Sequence, residues 1–225
     1  MATRIVSMNL GNTNCFVLQD KGTILIDAGG PKQAKKFMKE LQKASIKPEE
    51  IKLILITHGH FDHIGSADEI KAMTGAKLAM HELDKENLEK GQARIPPGVT
   101  GWGKALHKVL SLFAPMIKFP TSTVDIVLGA EQKSLEEYGI PGRVIPTPGH
   151  SAGSVTVLLD TGEAFVGDMS MSGLPMRLGP GLPIFAEDLP KLRDSWKSLL
   201  DHGAKTIYMS HGKPVSADVI RKELS

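Results

Sequence analysis

Three of the chain's eight histidines fall within six positions, in the stretch LILITHGHFDHIGS over residues 53–66. His58, Gly59, His60, Phe61, Asp62 and His63 follow directly on an apolar run with the character of a buried strand. His58 and His60 are two apart, so an extended backbone points both imidazoles to the same side, where they can clasp one cation. Asp62 and His63 follow on a backbone that must turn, and they face elsewhere. Neutral imidazole with carboxylate is a donor set for zinc or iron rather than for magnesium or calcium. A single tetrahedral ion rarely needs all four donors, and the spacing suggests two ions.

Three more positions carry the same chemistry. His150 stands in the Pro-Gly turn of PTPGHSAGS, Asp168 ends a strand in VGDMS, and His211 follows another in MSHGK. A strand-to-loop junction exposes a side chain at the edge of a sheet. Five histidines and two aspartates so placed suit two three-residue ligand sets that share one carboxylate. His81, His107 and His202 stand singly and read as surface or satisfied core residues, although His107 lies in an apolar insert expected near the site. Cys15, inside NCFVL, reads as a small core residue rather than a nucleophile.

The elements that must hold these groups are short. The runs RIVSM, NCFVLQ, TILIDAG, IKLILIT, AKLAM, VDIVL, GRVIPT, SVTVLLD, EAFVGD and KTIYMS, many ended by Gly, Asp or Pro, predict sheets rather than a helical bundle. A helix is expected over residues 31–44, with Ala34, Phe37, Met38 and Leu41 on one face and Pro31 in its first turn. Others are expected over 66–75, over 188–203 with Asp188 as N-cap and Gly203 as the stop, and over 214–224. Residues 84–122 form an insert near the active site: about a dozen residues continue a polar helix, Pro96 and Pro97 break it, and 103–117 make a short apolar helix.

TILIDAG and EAFVGDM each end a strand on Asp, while LILITHGH and TIYMSHG each end one on Thr or Ser before His-Gly. That pattern describes two related αβ halves. Packed sheet to sheet with helices on the outer faces, they give an α+β fold, a four-layer αββα sandwich of two mixed β-sheets, as one domain over residues 1–225. Asp27, His58, Asp168 and His211 would then meet at one edge.

A net charge of +2, with no long block of Lys or Arg, argues against a nucleic-acid partner. The N-terminal MATRIVSMNLGN lacks the apolar core of a secretory signal, and no apolar run approaches a membrane span. One cysteine cannot form an internal disulfide, which fits a reducing cytoplasm. The expectation is a cytoplasmic protein acting on a small molecule, with neither nucleic acid nor membrane as partner.

In chain order, Asp27 in DAGG, the THGHFDHIG run, PGHS, the Gly-Asp at 167 and 168 and the SHG at 210 to 212 resemble the metallo-β-lactamase superfamily of hydrolases. The resemblance implies one metal held by His58, His60 and His150, another held by Asp62, His63 and His211, and Asp168 bridging the two. Asp27 matches an acid behind the ligands that orients the histidine loop without touching metal; its other reading is the cap of a turn. Two divalent ions, Zn2+ first with Fe or Mn as alternatives, would share a hydroxide ionised near neutral pH, and one could polarise a carbonyl or phosphoryl oxygen. Asp62, beside that hydroxide, is the catalytic candidate: it would orient the nucleophile and carry a proton to the leaving group.

Subfamilies separate by what is present. True β-lactamases of the superfamily lack the bridging aspartate that Asp168 supplies. Glyoxalase II-type thioesterases carry a basic helical domain after the last histidine, whereas fourteen residues follow His211. RNA-processing members add substrate-gripping domains, and flavin-linked diiron oxidoreductases have Glu where His60 stands. Acyl-homoserine lactonase-like enzymes share H-x-H-F-D-H, but Tyr208 is the one tyrosine between Asp168 and His211, so their oxyanion helper is missing. A persulfide dioxygenase-like oxidoreductase, with one iron on His58, His150 and Asp168, is the alternative reading, and a phosphodiesterase is another. Residues 169–188, MSMSGLPMRLGPGLPIFAED, hold three of the ten methionines and with the insert could line an adaptable apolar pocket. Met169, Met171 and Arg177 are the substrate-binding candidates, Arg177 as the anion anchor. The expected reaction is cleavage of an ester, lactone or thioester with an apolar substituent. The insert reads equally as a lid or as a homodimer contact.

Overall fold

Cys15 and Val17 belong to one apolar core and Phe16 and Leu18 to another, so the period of two along Asn14–Gln19 makes this strand a wall between two layers. The computed structural model describes residues 2–173 and 177–225. Its first sheet runs β1 (Arg4–Asn9), β2 (Asn14–Gln19), β3 (Thr23–Ile26), β4 (Ile51–Leu55), β5 (Lys77–His81) and β6 (Ile126–Leu128), in that spatial order. β1 to β3 pair antiparallel and β3 to β6 parallel, which makes the sheet mixed.

The second half supplies β7 (Lys133–Ser134), β8 (Gly142–Pro146), β9 (Val155–Leu159) and β10 (Glu163–Phe165), then a separate ribbon of β11 (Met171–Gly173) and β12 (Arg177–Gly181), and finally β13 (Thr206–Tyr208) and β14 (Val215–Ser216). The second sheet has the order β14-β13-β10-β9-β8-β7, with β10 and β13 parallel and its other neighbours antiparallel. The helices are α1 (Ala34–Ala44), α2 (Phe61–Ile64), α3 (Ala67–Thr74), α4 (Lys85–Glu89), α5 (Gly101–Phe113), α6 (Leu189–Asp201) and α7 (Asp218–Leu224).

Three cores bind the layers. Phe37 and Leu41 of α1 and Ile70 of α3 pack on the outer face of the first sheet, against Val17, Leu25 and Ile54. Phe16, Ile24 and Leu53 meet Val144, Val157 and Phe165 between the sheets. Leu192, Trp196 and Leu199 of α6 close the far side over Leu158, Ala164 and Ile207. Helices outside, two mixed sheets inside: the four-layer αββα sandwich expected from the sequence is the observed architecture. The two halves also match in detail, since α1 connects parallel β3 and β4 as α6 connects parallel β10 and β13.

Several boundaries differ, each for a local reason. Pro31 precedes the first helix, which starts at Ala34, after Gln33. The polar helix of the insert stops at Glu89, because Gly91 takes up the left-handed region at φ 64°. The apolar helix begins earlier than expected, at Gly101, where the Thr100 hydroxyl accepts the Gly103 amide at 2.9 Å. Asp188 caps α6 as expected, accepting the Lys191 amide at 2.9 Å, and Gly203 follows its end at φ 94°. Val215 and Ser216 pair with β13 instead of opening a helix, so the last helix starts at Asp218. The methionine-bearing segment 169–188 contains the β11–β12 ribbon; its third methionine, Met176, lies outside the described residues.

Candidate metal centre

His58, Asp168 and His211 each stand three residues past the end of a strand, β4, β10 and β13 respectively, so three central strands deliver side chains to one rim. His60 is extended (φ −84°, ψ 150°) and precedes α2, a single turn that brings Asp62 and His63 to a second donor group while the His63 ring stays 3.9 Å from that of His58. Gly59 lets this loop pack: a Cβ there would come within 2.8 Å of the Asp84 carbonyl oxygen. Gly167, at φ 55°, similarly seats Asp168 beside Thr57, whose Oγ1 would be 2.6 Å from a Cβ.

The donors collect in two groups. Ligand atoms of His58, His60 and His150 lie within 4.8 Å of one another, and so do those of Asp62, His63, Asp168 and His211. Asp168 faces both: Oδ2 is 3.6 Å from His150 Nε2 and 4.0 Å from His58 Nε2, while Oδ1 is 3.4 Å from Nε2 of His63 and of His211.

The outer nitrogens of the imidazoles are already engaged. His63 Nδ1 is 2.8 Å from Asp27 Oδ2, and His58 Nδ1 is 3.1 Å from Thr57 Oγ1, which itself donates to Asp27 at 2.9 Å. His150 Nδ1 lies 3.0 Å from the Phe185 carbonyl and His211 Nδ1 3.0 Å from the Asn12 carbonyl. Each acceptor keeps a proton on Nδ1 and so turns Nε2 inward, the nitrogen that a metal would take. His60 Nδ1 and His150 Nε2 face each other at 3.0 Å. His58 Nε2, His63 Nε2 and Asp168 Oδ1 are buried without a hydrogen-bond partner. Such an atom costs about 1–3 kcal/mol when left unmet. Three of them converging, two imidazole nitrogens and a carboxylate oxygen, fit cations that would take the place of the proton on His63.

Asp27 sits behind this arrangement with φ 60°, in the left-handed region that Asp tolerates better than most residues. Its carboxylate accepts the Thr57 amide at 2.8 Å and the Thr57 hydroxyl, and meets His63. One buried acid therefore sets the tautomers of two histidines.

Charge divides the groups as well. Burial, aided by the neighbouring His63, holds His58 well below its ordinary value; burial and His150 bring His60 down to about 3, and burial lowers His150 too. In the other group burial also opposes charge, but Asp27, Asp168 and Asp62 outweigh it and hold His63 well above its ordinary value. Burial likewise opposes charge on His211, yet Asp168 and Asp62 push it up to about 10. Burial acts to raise both carboxyls and is overcome by His63 and His211, which leave Asp62 and Asp168 low.

Above the centre lies a cleft of about 80 Å³. Phe61, Ile95, Leu110, Met171 and Phe185 make its apolar walls, and Arg94 is the cation among its lining residues. Ile95 and Leu110 bring the insert to the site. Of the substrate candidates, Met171 lines the cleft, but Met169 and Arg177 do not. Met169 is fully buried in the core beneath α6, its carbonyl accepting Trp196 Nε1 at 2.9 Å. Arg177 binds Glu223 at 2.8 Å and the Leu182 carbonyl at 2.7 Å, so its charge serves the fold.

Three working residues escaped the sequence reading. Arg94 follows a helix end and shows no pattern. Thr57, next to His58, could be found only by asking what holds that imidazole. Asp84 is buried and accepts the Gly59 amide at 2.8 Å, the Ser151 hydroxyl at 2.6 Å and the Gly153 amide at 3.1 Å. The remaining histidines have local duties: His81 Nδ1 accepts the Leu83 amide, His107 Nδ1 meets the Pro96 carbonyl at 2.9 Å, and His202 Nδ1 meets the Ser198 carbonyl. Cys15 is buried in the first core, and burial raises its thiol well above the ordinary value.

Comparison with known proteins agrees with this geometry. The family model of the metallo-beta-lactamase superfamily matches residues 8–211. The probable metallo-hydrolase YflN of Bacillus subtilis is 27% identical over 90% of this chain and 80% of its own length. Hydroxyacylglutathione hydrolase GloC of Haemophilus influenzae is 25% identical over 77% of this chain and 74% of its own. Two other curated relatives are matched over 63% of their own length, one across 95% of this chain and the other across 66% of it. Among solved structures, BLEG-1 B3 metallo-beta-lactamase superposes with a TM-score of 0.72 over 96% of this chain and 95% of that one, at 22% identity.

Proposed function

The chain belongs to the metallo-beta-lactamase superfamily and is a metal-dependent hydrolase of that family; within it, we propose a two-ion enzyme that cleaves an ester, lactone or thioester bearing an apolar substituent. His58, His60 and His150 would hold one ion, Asp62, His63 and His211 the other, and Asp168 would join them. The observation that carries this reading is the carboxylate of Asp168, whose two oxygens face different histidine groups. Two bound divalent ions, zinc by the chemistry of the donors, would make a water acidic near neutral pH and polarise the oxygen of the scissile group.

The chain's own groups supply the rest. Asp62 lines the cleft and accepts the Thr13 hydroxyl at 3.3 Å, which leaves it placed to take a proton from water and hand it to a leaving group. Asp27 and Thr57 keep His58 and His63 in the tautomer that presents Nε2. Phe61, Met171 and Phe185 wall the reacting group from solvent, and Arg94 stands where an anionic substituent would lie. A cleft of about 80 Å³ holds little more than the scissile group, so the rest of a substrate must extend over the rim. The name of GloC, a thioester hydrolase, supports the acyl-transfer class without fixing its acyl group.

Elemental analysis of protein purified without added metal tests the proposal, together with a panel of thioesters, lactones, aryl phosphodiesters and β-lactams. Two ions per chain and turnover of acyl substrates are expected, with Asp168→Ala losing metal and rate together. One iron per chain with oxygen uptake on a sulfane-sulfur thiol, or full metal and rate in Asp168→Ala, would overturn it.

A further inference from the structure

α5 and the turn after it carry an apolar face turned to solvent. Leu112 and Met116 are 76% and 74% exposed, Val109 and Phe113 52% and 55%, and Trp102 55%. Residues 102, 109 and 116 are seven apart and 109, 112, 113 and 116 three or four apart, so these side chains form one stripe. They are five of the nine large apolar side chains exposed among the described residues. The inner side of the same helix is anchored, Leu106 and Leu110 packing on Met171, Ile184 and Phe185, and Leu110 reaching the cleft. The helix is thus a rim between the candidate metal centre and solvent.

The charge of this segment is as lopsided as its polarity. Between Glu89 and Asp125 there is no acidic residue, while Lys90, Arg94, Lys104, Lys108 and Lys118 all lie there, in a chain whose total is only +2. Lys104 and Lys108, four apart and both exposed, flank the apolar stripe on one side. An apolar stripe flanked by Lys104 and Lys108, on a segment without an acid, is the composition of a helix that lies in the plane of a lipid surface. We propose that α5 seats the chain peripherally on an anionic phospholipid surface, Leu112, Phe113 and Met116 entering among the acyl chains and the lysines meeting headgroup phosphates, so that the cleft opens towards that surface.

Charge decides between this occupant and a second copy of the chain. A two-fold contact through α5 would enclose Lys104 and Lys108 at its border in both copies, with no acid on the segment to offset them. An anionic surface attracts both of those lysines. The absence of a helix long enough to cross a membrane among the described residues does not bear on a helix that lies flat.

The test uses the metal-loaded full chain and vesicles of phosphatidylcholine with and without phosphatidylglycerol. Co-sedimentation with the anionic vesicles is expected, with a blue shift in fluorescence because Trp102 is exposed while Trp196 is buried. Partition should fall by about tenfold or more in Leu112→Ser/Met116→Ser and again in Lys104→Glu/Lys108→Glu, and should weaken in high salt. These positions are exposed, so thermal melts of the variants should match that of the parent. Equal recovery of the chain in the supernatant with and without anionic vesicles would overturn the proposal. So would a dimer that Leu112→Ser dissolves in the absence of vesicle binding, which would give the stripe to a second copy.

Discussion

Asp84 accepts the backbone amide of Gly59 at 2.8 Å, and through this bond a residue 25 positions away governs the loop between His58 and His60. The same carboxylate accepts the Ser151 hydroxyl and the Gly153 amide, so it also holds the turn that carries His150. Asp84→Ala would leave the buried Gly59 and Gly153 amides without an acceptor and free the Ser151 hydroxyl to turn to Ser154. A loss of about 3 kcal/mol or more is expected, seen as a drop in Tm of about 6–12 °C. The first ion should also bind more weakly, because its three histidines come from the two loops that Asp84 ties together. Unchanged Tm and metal affinity would show that the loops keep their relation without it.

Asp27 acts by contact with His63 at 2.8 Å and through Thr57 on His58. Substitution by Ala removes the acceptor that draws the His63 proton to Nδ1, and the ring can then present an N–H inward instead of a lone pair. Metal affinity or kcat/KM of Asp27→Ala should fall by about 10–100-fold, measured by chelator competition and by turnover. Thr57→Val should follow the same direction with a smaller loss, since Asp27 still meets His63 directly.

The site was more legible in the sequence than its surroundings, and the reason is physical. Metal donors must be His or Asp at strand ends with tight spacing, and such residues are rare enough that H-x-H-x-D-H stands out. Two apolar periods, in strands and in α1 and α6, gave the layers. What remained hidden depends on contacts distant in sequence: Arg177 looks like an anion anchor until Glu223 is found beside it, and Asp84 looks like a loop acid until Ser151 closes on it. Met169 and Met171 are two residues apart, yet one belongs to the core and the other to the cleft.

Arg94, not Arg177, is the arginine that lines the cleft. It is exposed at the cleft, so Arg94→Ala should leave stability within about 0.5 kcal/mol of the parent. Its effect should depend on the substrate. For esters or thioesters with a carboxylate or phosphate substituent, KM should rise by about tenfold, while neutral substrates of the same acyl group keep their KM. Equal effects on both series would assign Arg94 to the fold of the insert.

Acid should separate the two donor groups of the centre. In the metal-free chain His58, His60 and His150 are held low, His60 at about 3, whereas the unfolded chain takes up protons on them near 6.5. Below pH 6.5 the unfolded state therefore binds more protons, and the stability of the metal-free chain must fall as pH falls. His63 and His211 act with the opposite sign. Held above 6.5, His211 at about 10, they contribute stability that is complete below 6.5 and is lost as pH rises towards 10. The Tm of the metal-free chain should accordingly peak near pH 6.5 and decline on both sides. The same division orders metal uptake, because an ion entering the His58, His60 and His150 group displaces no proton at neutral pH, while one entering the His63 and His211 group must displace theirs. Lowering the pH from 8 to 6 in a weak chelator should release one ion before the other, with Asp62→Asn altering only the more labile one. Simultaneous loss of both ions at a single pH would show that Asp168 couples the groups too tightly for them to load separately.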